Sequence, residues 1–178
     1  MRLETERLVI RPWEPRDREP YASFLSDPVV RRFYFDVLDR PRADALVDRF
    51  IAAYERDGFG LLPVERKSDG AFIGVSGFLR IGDMAIRGNP PVEIGWLLGQ
   101  QDWGHGYAPE AARAWLDYAF ESLGFDEIVA WTTATNVPSQ RVMQKVGMRT
   151  DPSENFDHPK APPGHPLTPH VLYRISRP

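Results

Sequence analysis

The sequence predicts a mixed α+β fold, and three observations lead there. Short apolar runs with an alternating pattern recur along the 178 residues. Between them lie stretches whose apolar residues recur every three or four positions, the period of one helix face. The two kinds of element are interleaved, with no internal repeat and no linker-like segment. Residues 1–178 therefore read as one domain, long enough to bury a real core.

Residues 7–13, RLVIRPW, alternate and stop at Pro15, which predicts a first strand. Residues 17–27 suit a short helix. The helix over 41–58 is clearer: Leu46, Val47, Phe50, Ile51 and Tyr54 share a face, with Pro41 at the entry and Gly58 at the exit. Residues 59–81 read as two strands around the turn Ser68-Asp69-Gly70. A loop over 82–91 leads into the strand VEIGWLL at 92–98. From Ala108 a broad apolar stripe (Ala111, Ala112, Trp115, Leu116, Ala119, Leu123) predicts a helix to residue 123, with Gly124 just past its end. Residues 125–133 form another strand. A short helix at 138–147 runs from Pro138 to Gly147. The proline-rich stretch 151–170 is expected to be a loop or flap, and 170–176 a last strand.

Composition narrows the function. Hydrophobic residues make up 42% and charged residues 26%, as in ordinary soluble proteins. A net charge of −3 offers no basic field for nucleic acid or an anionic membrane. The absence of cysteine excludes disulfides, thiolate metal sites and a cysteine nucleophile. No segment has the character of a signal peptide or a membrane span, so a cytoplasmic location is the expectation. Nineteen of the 22 basic residues are arginine, which reads as compositional bias before function.

The stretch QDWGHGYAPEAA (101–112) sets Gly104 and Gly106 where a helix should be nucleating, although glycine is a poor helix former. A helix N-terminus carries free N–H groups and the positive end of the helix dipole. Glycines just before it let a backbone wrap an anion. On spacing alone, a phosphate cradle and a tight turn are equally good readings. A Walker-type loop fails, because Tyr107 and Ala108 stand where Lys and Ser or Thr are needed. A dinucleotide motif is weak, because Pro109 takes the place of its last glycine and Asp126 and Glu127 lie at the wrong end of the next strand.

Gln101-Asp102-Trp103-Gly104-His105-Gly106 does fit the pattern Gln or Arg, two residues, Gly, one residue, Gly or Ala. With ETERLVIRPWEPRD (4–17), VEIGWLL, GHGYAPEA (104–111) and ATNVPSQRVMQKVGM (134–148) in the same order, the sequence resembles the GNAT superfamily of N-acetyltransferases, in the RimJ/RimL-like branch. The likeness spans nearly the whole chain. It implies a splayed mixed sheet flanked by helices in three layers, with acetyl-CoA in the opening. The pantetheine arm would run along Trp96, Leu97 and Leu98 and touch Asn136. The pyrophosphate would rest on the N–H groups of residues 103–108, that is Trp103, Gly104, His105, Gly106, Tyr107 and Ala108, with Gln101 orienting the loop. His105 itself reads as a solvated loop residue. The implied activity is direct acetyl transfer to a primary amine, on a small molecule or a protein N-terminus. Homodimers are common in that superfamily, so a homodimer is also implied.

Acetyl transfer needs a neutral amine, a stabilised thioester oxygen and a proton for the leaving thiolate. Glu93, early in strand 92–98, is the candidate base; the alternative is a surface carboxylate on an alternating strand. Many family members place a donor tyrosine in the helix after the next strand, and SQRVMQKVG has none. Ser139 is the replacement candidate, although Asn136 and Ser139 are also good helix-capping chemistry. Trp13, Phe33, Tyr34 and Phe35 are candidates for the acceptor wall, or else core residues. His158, His165 and His170 lie seven and five residues apart without regularly spaced acidic partners, so no metal is expected. The rival from another class is a non-catalytic acyl-CoA-binding module.

Overall fold

The amino-terminal alternation yields less strand than it suggests. In the computed structural model, which describes residues 1–82, 86–88 and 90–178, a two-residue β1 (Leu3–Glu4) is followed by a three-residue β2 (Leu8–Ile10). Pro12 cannot donate to a ladder. Arg11 turns inward instead, and its guanidinium grips Asp17 through two hydrogen bonds of 2.7 and 2.9 Å. Both residues are buried, so the pair ties the strand to the 3-10 turn at Pro15–Asp17.

Two helices follow, α1 (Arg18–Ser26) and α2 (Arg40–Asp57). Asp39 caps α2 by accepting from the Arg42 N–H, and Gly58 ends it in the left-handed conformation, φ 74°. β3 (Leu61–Arg66) and β4 (Ala71–Arg80) form the expected hairpin. The expected loop 82–91 falls partly on residues 83–85 and 89, outside the described residues. β5 (Val92–Leu98) then leads through the glycine loop into α3 (Tyr107–Tyr118), which loosens to a wider π-type turn at Ala119–Leu123. β6 (Glu127–Thr133), α4 (Val137–Lys145), β7 (Arg149–Thr150), β8 (Phe156–Asp157) and β9 (Pro169–Ser176) complete the chain.

The strands form one mixed sheet in the order β1-β2-β3-β4-β5-β6-β9-β7, with β8 against β9. Its two faces bury different helices. Trp115 of α3 and Met143 of α4 join Phe78, Ile94 and Leu8 on one side. Tyr21 and Leu25 of α1 join Val47 and Phe50 of α2, with Leu61 and Val75, on the other. The result is a mixed α/β fold with helices on both faces of the sheet. No helix among the described residues is long and apolar enough to cross a membrane.

One irregularity positions the site. β5 pairs with β4 along its whole length, from Val92 to Leu98. With its parallel neighbour β6 it shares a single register pair, Glu93 with Val129. Beyond that pair the two strands part. The free edge of β5 from Gly95 to Leu98 faces the opening, and Glu93 stands at its vertex.

Candidate active site

Two cavities occupy the opening. The first, of about 420 Å³, runs from the diverging strands to the glycine loop and α4. The second, of about 720 Å³, lies on the α1–α2 side and is closed by the tail. Trp96, Leu97, Asn136 and Ser139 line both, so the cavities meet where β5 leaves β6. Phe33 and Tyr34 border the same junction, with Arg31 stacked 3.9 Å from the Tyr34 ring centroid.

The glycine loop needs its glycines for conformation. Gly104 and Gly106 have φ of 80° and 81°, a region that side chains with a Cβ rarely adopt. Both also line the first cavity, and the space beside the Gly104 Cα is open. Among the described residues, the N–H groups of Gly104, His105, Gly106, Tyr107 and Ala108 have no acceptor. Five free donors at a helix N-terminus thus gather around Gly106, the residue that caps α3.

Trp103 departs from the expectation. Its N–H donates to the Gln100 carbonyl at 3.2 Å and is spent in a 3-10 turn. The cradle of free N–H groups therefore begins at Gly104. The Trp103 ring does line the first cavity, with its indole N–H on the Leu98 carbonyl at 2.9 Å. Gln101 is exposed and lies off both cavities, and its side chain makes no hydrogen bond among the described residues. Other residues hold the loop. Arg7 donates to the His105 carbonyl at 3.0 Å and pairs with Glu110. Asp102, only 1% exposed, pairs with Arg66 at 2.6 Å. His105 does not line the cavity, and its ring stacks on Tyr107.

The same cavity also carries cations. Arg32, Arg141 and Lys145 line the first cavity, and among the described residues none of them pairs with a carboxylate. Arg32 instead lies over the Trp103 ring, 4.4 Å from its centroid. Free N–H donors and cations without carboxylate partners around one cavity suit a multiply charged phosphate ligand. Nothing in the sequence spacing marked these three cations.

Glu93 lines the second cavity and has no hydrogen bond or ion pair among the described residues. Burial alone pushes its carboxyl up to about 8. The side chain is half-buried and lines the cavity, so the surrounding walls rather than a close-packed core screen it. A group that holds its proton to this pH in the folded chain and to about 4.3 in the unfolded chain makes folding bind a proton. Its stabilising effect is complete below about pH 4 and is lost as the pH rises through about 8. Glu93→Gln lacks that loss. Its stability relative to wild type is expected to climb between about pH 5 and 8 and then level, with a limiting slope of about 1.4 kcal/mol per pH unit, read as a rising Tm difference. A difference that stays flat over this range would mean that Glu93 is ionised at neutral pH.

Asn136 caps α4, accepting from the Ser139 N–H at 3.2 Å, and donates to Thr132 Oγ1 at 2.9 Å. Much of its carboxamide is thus committed to structure. The Ser139 hydroxyl makes no hydrogen bond among the described residues and borders both cavities. Thr133, 1% exposed, was missed from sequence; its Oγ1 has no partner among the described residues, and it lines the second cavity. Trp13 is not an acceptor-wall residue. It packs on Tyr21, Phe50 and Phe72 and donates to the Leu61 carbonyl, as a core residue does. Phe33, Tyr34 and Phe35 do border the second cavity. The tail closes it: His158 and His170 have rings 4.8 Å apart, and Phe35 packs on His158 and His165. Burial holds His158 and His170 below the ordinary imidazole range.

Residues 7–149 match the family model described as the Acetyltransferase (GNAT) domain. The chain is 32% identical over 152 residues to the uncharacterized N-acetyltransferase YnaD of Bacillus subtilis (strain 168), covering 85% of this chain and 84% of that protein. A crystal structure of a GNAT-family acetyltransferase from Bacillus anthracis superposes with a TM-score of 0.82 at 28% identity, covering 99% of both chains. RimJ of Mycobacterium smegmatis, solved in complex with CoA-disulfide, shares the fold at a TM-score of 0.75 and 19% identity, over 95% of this chain and 81% of that one.

Proposed function

The chain belongs to the GNAT acetyltransferase family, and from that premise we propose that its two cavities hold the two substrates of a single transfer. As an N-acetyltransferase it uses acetyl-CoA as donor. The first cavity takes the CoA. The N–H groups from Gly104 to Ala108 receive the pyrophosphate, and Arg32, Arg141 and Lys145 add charge for the phosphates. The free edge of β5 along Trp96, Leu97 and Leu98 offers backbone groups to the pantetheine amides. The second cavity takes a primary amine, from a small molecule or a protein N-terminus.

The observation that carries this reading is the junction. The cradle borders only the first cavity, Glu93 borders only the second, and Ser139 borders both. A thioester laid along β5 would present its carbonyl at the vertex, where the amine arrives from the Glu93 side. Glu93 takes the proton from the incoming ammonium. The neutral amine attacks the thioester carbon, and N–H groups of the diverging strand stabilise the developing oxyanion. The bond to sulfur breaks, Ser139 gives its proton to the thiolate, and the second proton that the nitrogen releases as it becomes an amide restores the hydroxyl. Holding both substrates at the junction contributes much of the rate by itself.

Release of free CoA thiol on mixing the protein with acetyl-CoA and a panel of primary amines tests the proposal. A non-catalytic binding module would take up acetyl-CoA with no amine-dependent release. Ser139→Ala is expected to slow turnover by less than the loss of Glu93, because a thiolate near a solution pKa of about 8.5 already leaves tolerably. A Ser139→Ala enzyme with wild-type turnover would remove the hydroxyl from the mechanism. The implied homodimer is decided by the mass in solution.

A further inference from the structure

The second cavity has an unbalanced set of charges. Asp36, Asp57 and Glu93 are the carboxylates along it, and Arg31, Arg49, Arg56, Arg80 and Lys160 the cations. Asp36 is taken by Arg31 and Arg42. Asp57 is shared by Arg56 at 2.5 Å and Arg80 at 2.9 Å. Glu93 is reserved for the reacting amine in the reading above and has no ion pair among the described residues. That leaves Arg49, on α2, and Lys160, on the tail, both lining this cavity and both without a carboxylate partner among the described residues. The same cavity is lined by the aromatic rings of Phe33, Phe35 and Trp131. The volume of about 720 Å³ is that of a small-molecule pocket.

We propose that the acceptor is a small amine that also carries an anionic group on an apolar body, with Arg49 and Lys160 receiving the anion while the amine reaches Glu93. The proposal rests on the two-substrate reading above. The charge balance argues against polycationic acceptors. A second ammonium would meet two uncompensated cations and find no free carboxylate, because both aspartates are already paired. An acceptor with a carboxylate or phosphonate satisfies both cations and gains charge-assisted hydrogen bonds from the arginine fork.

A matched series tests this, read as CoA thiol release with the full-length protein: para-(aminomethyl)benzoate, the corresponding phosphonate, para-methylbenzylamine and para-xylylenediamine. The body and the reacting amine stay constant while the far end changes charge. We expect kcat/KM for the anionic members to exceed that of the methyl compound by about tenfold, and the diamine to be poorest. The two anionic arms separate a carboxylate preference from a phosphonate preference. Arg49→Gln with Lys160→Gln should erase the advantage of the anionic members over the methyl compound and leave KM for acetyl-CoA unchanged. Equal kcat/KM across the series, or a preference for the diamine, overturns the proposal, as does an advantage that survives both substitutions. The Tm shift given by each amine in the presence of CoA reads the same preference without turnover. An absence of thiol release with every amine would therefore refute catalysis while the binding order still judges the charge preference.

Discussion

Gly106→Asp is expected to leave a folded protein whose Tm hardly responds to acetyl-CoA. Gly106 is the cap of α3, with φ 81°, amid the free N–H groups from Gly104 to Ala108. An added Cβ there meets only the Arg7 guanidinium, at 3.5 Å, so the site has room for a side chain. Asp and Asn are the L-residues that best tolerate this backbone region, so strain is shared by both substitutions. Gly106→Asn is thus the control for shape and strain, and only Asp adds charge. A carboxylate about 4 Å from one phosphate charge costs about 4 kcal/mol at an effective dielectric constant near 20. Even half of that weakens binding by about 30-fold. Ligand at a hundred times the wild-type Kd stabilises the wild type by about 2.7 kcal/mol. After a 30-fold loss the gain falls below about 1 kcal/mol. If Gly106→Asp and wild type give the same Tm titration, the pyrophosphate does not bind at this helix terminus. If Asn and Asp lose the response equally, backbone geometry rather than charge is responsible.

How far the sequence reached can be judged residue by residue. The long helices were legible because each buries one face only, and a one-sided apolar stripe has a period that can be read. The ends were less so. Tyr107 begins α3 one residue early, and Ala119–Leu123 loosens into a π-type turn while keeping the same apolar spacing. β1, β7 and β8 were not legible at all. Two-residue strands have no periodicity, and each of these exists because a partner strand lies beside it. In the site, the two glycines were visible but their positive φ was not, so cradle and turn stayed equal until the free N–H groups could be counted. Trp103 shows the limit of a motif: its position fits the loop, yet its N–H is already spent on Gln100. Alternation placed Glu93 on the face opposite Val92 and Ile94. That its side chain meets a cavity instead of solvent depends on β6 leaving β5 after one register pair, a tertiary event with no local signal. Arg49, Lys160 and Thr133 come from three separate elements, and no spacing in the sequence connects them.

Glu93→Gln is expected to lower kcat by about 10²–10⁴-fold, the usual range for losing general-base help, with little change in acetyl-CoA affinity. The affinity should hold because Glu93 borders the second cavity and not the first. The pH profile makes the assignment specific. With a carboxyl at about 8, about one molecule in ten is ionised at pH 7. The wild-type kcat/KM should therefore rise through neutral pH and bend near pH 8, where half of Glu93 has lost its proton. The glutamine variant has no such group and must wait for an amine that is already neutral. For an alkylamine with a pKa of about 10, its rate should keep climbing past pH 8 and bend only near the pKa of the acceptor. The gap between the two enzymes should then narrow as the solution supplies the neutral amine directly. Two acceptors of different amine pKa sharpen the test, because the bend of the variant should follow the acceptor while the bend near pH 8 in wild type stays with the enzyme. A Glu93→Gln enzyme of full activity, with the wild-type bend intact, would reduce Glu93 to a carboxyl buried at the vertex of the sheet. The base would then have to be sought among the other groups of the second cavity, where burial holds His158 and His170 below the ordinary imidazole range.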